Sequence, residues 1–302
     1  MRNINLKKLN EATGVPSLSK STLMKVKLIV PPLIEQQKIA AILSTVDEKI
    51  DAIDTEINAI QKLKKGLMQQ LLTRGIGYTE FKEIEQGTAP RNWEIFKLKD
   101  LCELITKGTT PTSLGFKFTD SGINFIKVEA ISPYGGFLPT KFAHISHETD
   151  EALKRSSIRE SDILYSIAGA LGRVAIVKKE ILPANINQAL ALIRIKKKLR
   201  SKIILQYLSN FLKSDFLIHH INKINVKTAQ ANLSLNDVGN FFILLPPLPE
   251  QQKIADILST VDEKLDVLRE KKETYQTLKK GLMQQLLTGT IRVTGTQSNP
   301  GD

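Results

Sequence analysis

An internal repeat of 46 positions constrains this chain more than any other feature. Residues 31–76 read PPLIEQQKIAAILSTVDEKIDAIDTEINAIQKLKKGLMQQLLTRGI, and residues 246–291 read PPLPEQQKIADILSTVDEKLDVLREKKETYQTLKKGLMQQLLTGTI. At a constant offset of 215 and without a gap, 31 of the 46 positions are identical. The two ends match closely and the middle does not, so we expect shared partner contacts at the ends.

Each copy predicts one long helix. Two prolines stop the preceding segment, and Glu35 or Glu250 then stands in the first turn, where a negative charge suits the helix dipole. Apolar residues follow at heptad spacing, which is the pattern of a coiled-coil seam, although Lys272 and Lys279 weaken its second half. Such a helix buries its stripe only against a partner, and the other copy is the obvious one. The residues expected to pair the helices are Ile39, Leu43, Val46, Ile50, Ile53, Ile254, Leu258, Val261, Leu265 and Leu268.

Between the repeats the pattern changes to short β-type runs separated by glycine, proline, serine and asparagine. A helical stretch follows around residues 202–221. The sequence therefore predicts an α+β fold whose central domain holds a mixed β-sheet, with a long helix on each side. The predicted segments are 1–30, a first long helix at 31–76, a linker at 77–92, the central domain at 93–245, a second long helix at 246–289 and a flexible tail at 290–302.

The formal net charge of +12 and the pI near 9.6 indicate a polyanionic partner, most often nucleic acid. Basic residues spread through the central domain, and a run at 196–200 is either a solvated loop or a phosphate contact. Asparagine and glutamine suit adenine edges, and arginine suits guanine. The candidate DNA-binding residues are Lys107, Thr109, Thr110, Lys117, Lys127, Arg173, Asn187, Gln188, Gln230 and Asn232.

Several classes of site are not expected. Cys102 is the single cysteine and reads as a small buried hydrophobe, so neither a disulfide nor a cysteine zinc site is predicted. His144 and His147 lack further ligands at helpful spacing, so no metal site is predicted. The glycines of SIAGALGR at 166–173 fit no nucleotide-binding motif and indicate a tight turn. Without a membrane span or a signal peptide, a cytoplasmic location is expected.

The repeated PPLxEQQKIA at 31–40 and 246–255, placed around an α+β domain, resembles the specificity subunit of type I restriction–modification systems. SDILYSIAGALG at 161–172 and INQALALI at 186–193 resemble segments of that family's target-recognition domains. The resemblance implies a non-catalytic DNA-recognition subunit whose two helices pack antiparallel and space the halves of a bipartite target. It also implies partner methylation and restriction (nuclease) subunits, to which S-adenosylmethionine, ATP and magnesium belong, with no cofactor on this chain.

The sequence departs from the full family pattern, because it holds one complete recognition domain. Leu18-Ser19 aligns with Leu233-Ser234 at the same offset of 215, so residues 1–30 are interpreted as the tail of a first domain. Two arrangements stay open. The helices pair within one chain and hold one DNA reader, or two copies form a homodimer with two readers and a palindromic target.

Three other hypotheses compete with DNA recognition. The repeats could be ordinary helices of an all-α bundle, but the chain offers too few further helices. The protein could instead be a coiled-coil scaffold whose central domain binds protein. A nuclease acting alone would need an acidic metal-binding set, and the sequence shows no such set.

Overall fold

The computed structural model describes residues 19–25, 30–85, 87–224 and 232–293. These form two compact units, residues 1–62 with 262–302 and residues 63–261. The helices of the described chain are α1 (Lys20–Met24), α2 (Leu33–Leu71), α3 (Leu98–Leu101), α4 (His147–Ala152), α5 (Leu205–Leu212), α6 (Asp215–Ile224), α7 (Leu235–Gly239) and α8 (Leu248–Leu287). The strands are β1 (Phe81–Ile84), β2 (Gly87–Pro90), β3 (Glu94–Lys97), β4 (Cys102–Lys107), β5 (Ile123–Ile126), β6 (Ala143–Ile145), β7 (Ile163–Ser166), β8 (Val174–Ile176), β9 (Ala184–Ile186), β10 (Leu190–Ile195) and β11 (Phe242–Leu245).

The two long predicted helices are α2 and α8. Each begins after a proline whose carbonyl accepts a helical hydrogen bond, from the Gln36 amide to Pro32 at 3.0 Å and from the Gln251 amide to Pro247 at 3.1 Å. Beyond each helix the chain turns through a glycine at positive φ, 67° at Gly75 and 72° at Gly289. Only glycine adopts this conformation without strain, so it suits the end of a helix.

In the first unit α2 and α8 pair antiparallel. Lys272 donates to Asp54 at 2.6 Å, and Lys279 donates to Asp47, so a step of seven residues up α2 matches seven residues down α8. Lys264 and Glu56 form a third ion pair at 3.0 Å. The lysines that weaken the seam in the sequence therefore make ion pairs across it. The predicted α+β fold with an antiparallel helix pair is confirmed.

The heptad residues separate into two environments. Ile53, Leu265 and Leu268 bury one another in a small cluster with Ile57. Ile39 and Val46 are buried, while Leu43, Ile50 and Val261 are half-buried. Ile254 and Leu258 belong to the large core of the second unit, which also holds Leu71 and Leu72 from the end of α2, so the domain covers them as well as that helix. Heptad spacing predicts that a helix face is buried, but not which residues cover it. Here the core of the second unit covers the start of α8.

In the second unit the largest sheet has the order β4-β10-β7-β8 and is antiparallel throughout. Alternate residues of β7 and β10 enter two different hydrophobic clusters, so both faces of the sheet are covered. A second sheet has the order β6-β5-β9, with β5 and β9 parallel. Two antiparallel pairs, β11-β3 and β1-β2, complete the unit. The single mixed sheet predicted is thus several small sheets, one of them mixed.

Two predicted boundaries change. The linker at 77–92 contains the β1-β2 hairpin, and its neighbour Trp93 is fully buried. The helical stretch at 202–221 divides into α5 and α6 at Ser214, whose hydroxyl accepts a hydrogen bond from the Leu217 amide. A serine that accepts from the amide three residues on begins a new helix, which explains the break.

The repeat also extends before the long helices. At the offset of 215, α1 (Lys20–Met24) and α7 (Leu235–Gly239) occupy the same positions. Ser19 accepts a hydrogen bond from the Thr22 amide at 3.2 Å, and Ser234 accepts one from the Asp237 amide at 3.1 Å. Most of the predicted segment 1–30 lies outside the described residues.

The repeated glutamate of each long helix holds a segment that follows one of the helices. Glu250, in the second unit, accepts hydrogen bonds from the Ile76 amide at 3.0 Å, the Tyr78 hydroxyl at 2.7 Å and the Trp93 indole at 3.2 Å. Glu35, in the first unit, accepts from Arg292 at 2.7 and 2.8 Å. The predicted flexible tail at 290–302 therefore has a fixed start, and residues 294–302 lie outside the described part.

Candidate nucleic-acid interface

The main sheet of the second unit brings distant polar segments to one end. Lys107 ends β4 beside Ala191 near the start of β10, and Ser166 ends β7 opposite Leu190. The Asn187 amide donates to the Ile126 carbonyl at 3.1 Å, which brings the end of β5 to the same place. We call this end of the sheet the loop edge; it comprises residues 107–119, 126–127, 166–173, 187–190 and 232–233.

The junction between residues 107–119 and residues 187–190 is very tight. A side chain at Gly108 would stand 1.8 Å from the Ile186 carbonyl oxygen, so only glycine fits. Thr110 and Gln188 then meet side chain to side chain. Arg155 reaches the same place, with its guanidinium 3.5 Å from the Thr109 hydroxyl. Lys107, Thr109, Thr110 and Gln188, all predicted DNA-binding residues, therefore lie together.

Lys127 and Asn187, two further predicted residues, differ in how accessible their polar groups are. Lys127 is half-buried, and its ammonium group lies 4.6 Å from the centre of the Phe118 ring. This is a cation–π contact, which leaves the charge at the surface. The Asn187 side-chain oxygen is buried and accepts no hydrogen bond from the described residues, so in this conformation it does not reach a base edge. Asn187 contributes to the loop edge through its backbone, whose amide donates to the Ile126 carbonyl.

Arg173 makes structural contacts, and its role as a DNA-binding residue stays a prediction. Its guanidinium donates to the carbonyls of Ile131 at 2.7 Å and Val128 at 3.2 Å. Its amide donates to the Ser166 hydroxyl at 2.7 Å, which closes the loop at 166–173. The tight turn predicted for SIAGALGR is confirmed, with Gly169 and Gly172 both at positive φ.

The remaining candidates sit at the rim. Lys117 is exposed on the segment after β4. Asn232 is exposed, and the next residue, Leu233, donates its amide to the Ile167 carbonyl at 2.9 Å. Asn232 thus lies at the loop edge, while Gln230 falls outside the described residues.

A buried polar network fixes the strands behind the loop edge. Asp162 and Arg194 form a bidentate ion pair at 2.7 and 2.8 Å, with both side chains buried. The hydrogen bonds that Arg194 donates to Asp162 raise the pKa of its guanidinium group, which stays charged. Asn185 donates to Asp150 and accepts from Ser156, and it precedes the turn at 187–190. Such paired buried groups fix one geometry and would be costly to break singly.

The basic run at 196–200 lies at the opposite end of β10, where Ile195 faces Cys102. Lys196 donates to the Asp100 carbonyl at 2.7 Å, and Lys197 and Lys198 are exposed on a short turn. The run therefore does not join the loop edge. Cys102 is buried, and burial raises the pKa of its thiol to about 12, which makes it unreactive at neutral pH.

Across the described ranges, no three histidine, cysteine or acidic residues form a group that could hold a metal ion. No helix in this part of the chain has the length and apolarity needed to cross a membrane. The loop edge is thus the candidate site. Arg155 was not among the predicted residues, because only the folded chain brings it to Thr109.

The chain is similar to known proteins of one kind. A family model described as the type I restriction modification DNA specificity domain matches residues 3–62 and 90–276. The specificity subunit of the type I restriction enzyme MjaVIII from Methanocaldococcus jannaschii is 30% identical over 296 residues, which cover 95% of this chain and 67% of that protein. The chain therefore spans about two thirds of that relative.

Two solved structures share the fold. The HsdS subunit from Thermoanaerobacter tengcongensis aligns with a TM-score of 0.52 and 19% identity, over 95% of this chain and 67% of that one. A structure describing complex assembly and conformational transition of the type I R-M system aligns with a TM-score of 0.55 and 21% identity, over 92% and 65%.

Proposed function

Because the chain belongs to the family of type I restriction–modification specificity subunits, we propose that it recognises double-stranded DNA with the loop edge and directs partner subunits to that DNA. Specificity subunits are non-catalytic, so methylation and cleavage belong to the partners. S-adenosylmethionine, ATP and magnesium would bind there and not on this chain. The cytoplasm, where such DNA lies, is the proposed location.

The observation that carries this proposal is the convergence of five segments at the loop edge. Lysine side chains at 107, 117 and 127 supply positive charge for phosphates, and hydroxyl and amide groups at 109, 110, 188 and 232 supply donors and acceptors for base edges. Gly108, which lies against Ile186, and the buried Asn185 side chain, which is bound by Ser156 and Asp150, hold the backbone beside these groups. A rigid scaffold carrying variable polar loops is the arrangement that sequence reading needs.

The first unit is the proposed surface for the methylation subunits and, through them, the nuclease subunits. Val267 and Leu278 are exposed apolar residues on α8, at 60% and 48%. A groove of about 600 Å³ on the same unit is lined by Ile50, Met283 and the Lys279 and Lys280 side chains. Exposed apolar residues next to charged ones are typical of a protein interface.

We further propose that two copies associate. One chain pairs α2 with α8 and holds one recognition domain, so a target with two halves needs a second reader. A homodimer would read a palindromic bipartite sequence. The mass of the purified protein, measured alone and with a methylation subunit, tests this. The mass should correspond to two copies of the 33.7 kDa chain. One copy of the chain in both samples would contradict the homodimer.

DNA recognition is tested by anisotropy titration of labelled duplex with the chain and its methylation subunit. Binding should fall steeply with added salt, because phosphate contacts release counterions. The triple variant K107Q/K117Q/K127Q should weaken binding to every duplex and reduce the salt slope, while K197Q/K198Q, at the other end of β10, is the matched control. No binding with or without the methylation subunit would reject the proposal and leave a protein-binding scaffold.

A further inference from the structure

An apolar side chain stands at the tip of the loop edge. After β4 the chain forms a short 3-10 turn at Pro111–Leu114, which Gly115 closes in a left-handed conformation at a φ of 83°. Pro111 is buried, whereas Leu114 is 53% exposed. An exposed leucine is ordinary alone, but this one lies among the polar candidates for DNA contact.

The turn is held at both sides. Before it, Thr110 contacts Gln188, and the Ser113 hydroxyl donates to the Thr110 carbonyl at 2.7 Å. After it, the Phe116 amide donates to the Pro111 carbonyl at 3.1 Å, and Phe118 packs edge-on against buried Phe125 at 5.5 Å. Since the backbone is fixed on each side, Leu114 is presented at one position and does not fold back onto the domain.

The surroundings of Leu114 are basic. Residues 107–118 contain two lysines and no acidic residue. Lys127 lies over Phe118, and Arg155 lies beside Thr109. An apolar tip on a segment that carries lysines and hydroxyl groups is a poor match for an apolar protein surface. It matches a duplex, in which negative phosphates flank a stack of apolar base faces.

We propose that Leu114 is a wedge that enters between two stacked base pairs from the minor groove and kinks the DNA. The cations at 107, 117 and 127 then hold the phosphates on either side. This inference rests on the proposed function, because it requires the loop edge to bind DNA. It adds a second source of specificity: a step that unstacks easily, such as TA or CA, is favoured at the wedge without any hydrogen bond to its bases.

The test uses the full chain with its methylation subunit and a duplex that this complex selects from a randomised library. Energy transfer between dyes at the duplex ends reports the bend, and anisotropy reports the affinity. The variants are Leu114→Ala, which removes the wedge, and Leu114→Phe, which keeps a large apolar tip. Ile95→Ala is the matched control, because Ile95 is 41% exposed on β3, outside the loop edge.

We expect Leu114→Ala to lose most of the bend and to bind the selected duplex roughly tenfold more weakly. Leu114→Phe and Ile95→Ala should bend and bind as the unchanged chain does, and all variants should unfold at the same urea concentration. An unchanged bend with Leu114→Ala overturns the wedge, as does a loss confined to association with the methylation subunit. If the unchanged complex selects no duplex, the proposed function itself fails.

Discussion

The two repeated glutamates share a motif, PPLxEQQ, and a place in the first turn of a long helix, yet they bind different groups. Glu250 accepts from a backbone amide, a tyrosine and a tryptophan of the second unit. Glu35 accepts from Arg292 and from the Val293 amide, after the end of α8. The repeat therefore specifies a carboxylate hydrogen-bond acceptor at the start of each long helix. The donor groups come from the unit in which that helix start lies.

The same contrast holds for the apolar residues. Leu72, at the end of α2, is fully buried in the domain core, whereas its repeat equivalent Leu287 is 38% exposed. Ile254 and Leu258 enter that core, whereas their equivalents Ile39 and Leu43 lie in the helix-pair unit. Equal residues at equal helix positions therefore contribute unequal stability.

The largest expected effect comes from Leu258→Ala compared with Leu43→Ala. Leu258 is fully buried and Leu43 is half-buried, so we expect losses of about 3 kcal/mol and about 1 kcal/mol or less in the free energy of unfolding. Trp93 is the single tryptophan and lies in the core of the second unit, so its fluorescence during urea unfolding reports Leu258→Ala, while far-UV circular dichroism of the long helices reports Leu43→Ala. Equal losses from both variants would show that the two copies are equivalent after all.

Next in size is Glu250→Gln. The amide that replaces the carboxylate cannot accept hydrogen bonds from Ile76, Tyr78 and Trp93 equally well, and leaving partly buried donors unpaired costs roughly 1–3 kcal/mol. The urea midpoint read from Trp93 should fall and its emission maximum should shift. Glu35→Gln is the control and should leave both unchanged; a matching shift would contradict separate roles.

A smaller effect is expected for the ion pair between Asp47 and Lys279. The side chains are 30% exposed at Lys279 and 46% exposed at Asp47, so solvent screens the pair. A double-mutant cycle with Asp47→Asn and Lys279→Gln should therefore give about 0.3–1 kcal/mol. Added salt should reduce that coupling. Lys280→Gln, at an exposed neighbouring position, is the control. A coupling energy between Asp47 and Lys280 that is just as large would show that Asp47 does not pair specifically with Lys279.

The smallest effect is local and depends on pH. Hydrogen bonds from Arg292 hold the pKa of Glu35 below its ordinary value of 4.5. A lowered carboxyl pKa means that the attachment is complete at neutral pH and is lost as the pH falls below 4.5. The Nε resonance of Arg292 in an NMR titration should move in that range and stay flat in Glu35→Gln. A resonance that moves equally in both proteins would speak against the contact.

The helix pair was predictable from the sequence because a long periodic repeat is a local signal. The sequence did not show that Lys272 and Lys279 meet acidic partners, since only the antiparallel register brings Asp54 and Asp47 to them. Nor did it show that the domain covers Ile254 and Leu258. Periodicity indicates that a face is buried, and tertiary contacts choose its neighbour.

The loop edge was predictable in part. Residue chemistry selected Lys107, Thr109, Thr110 and Gln188, which the fold brings together. It also selected Arg173, whose guanidinium is occupied by two backbone carbonyls. Residue chemistry alone could not separate these two cases, because the surroundings of each side chain depend on the strand order β4-β10-β7-β8. That order is a non-local property that no short motif encodes.

Gly108 has a consequence for how such a domain acquires a new target. Its backbone lies so close to the Ile186 carbonyl that any larger residue would push the two segments apart, whereas Leu114, on the turn that follows, is 53% exposed. Exposed residues of that turn can therefore be replaced without disturbing the backbone contact that carries it. The surface that faces a partner and the junction that supports it can change independently of each other.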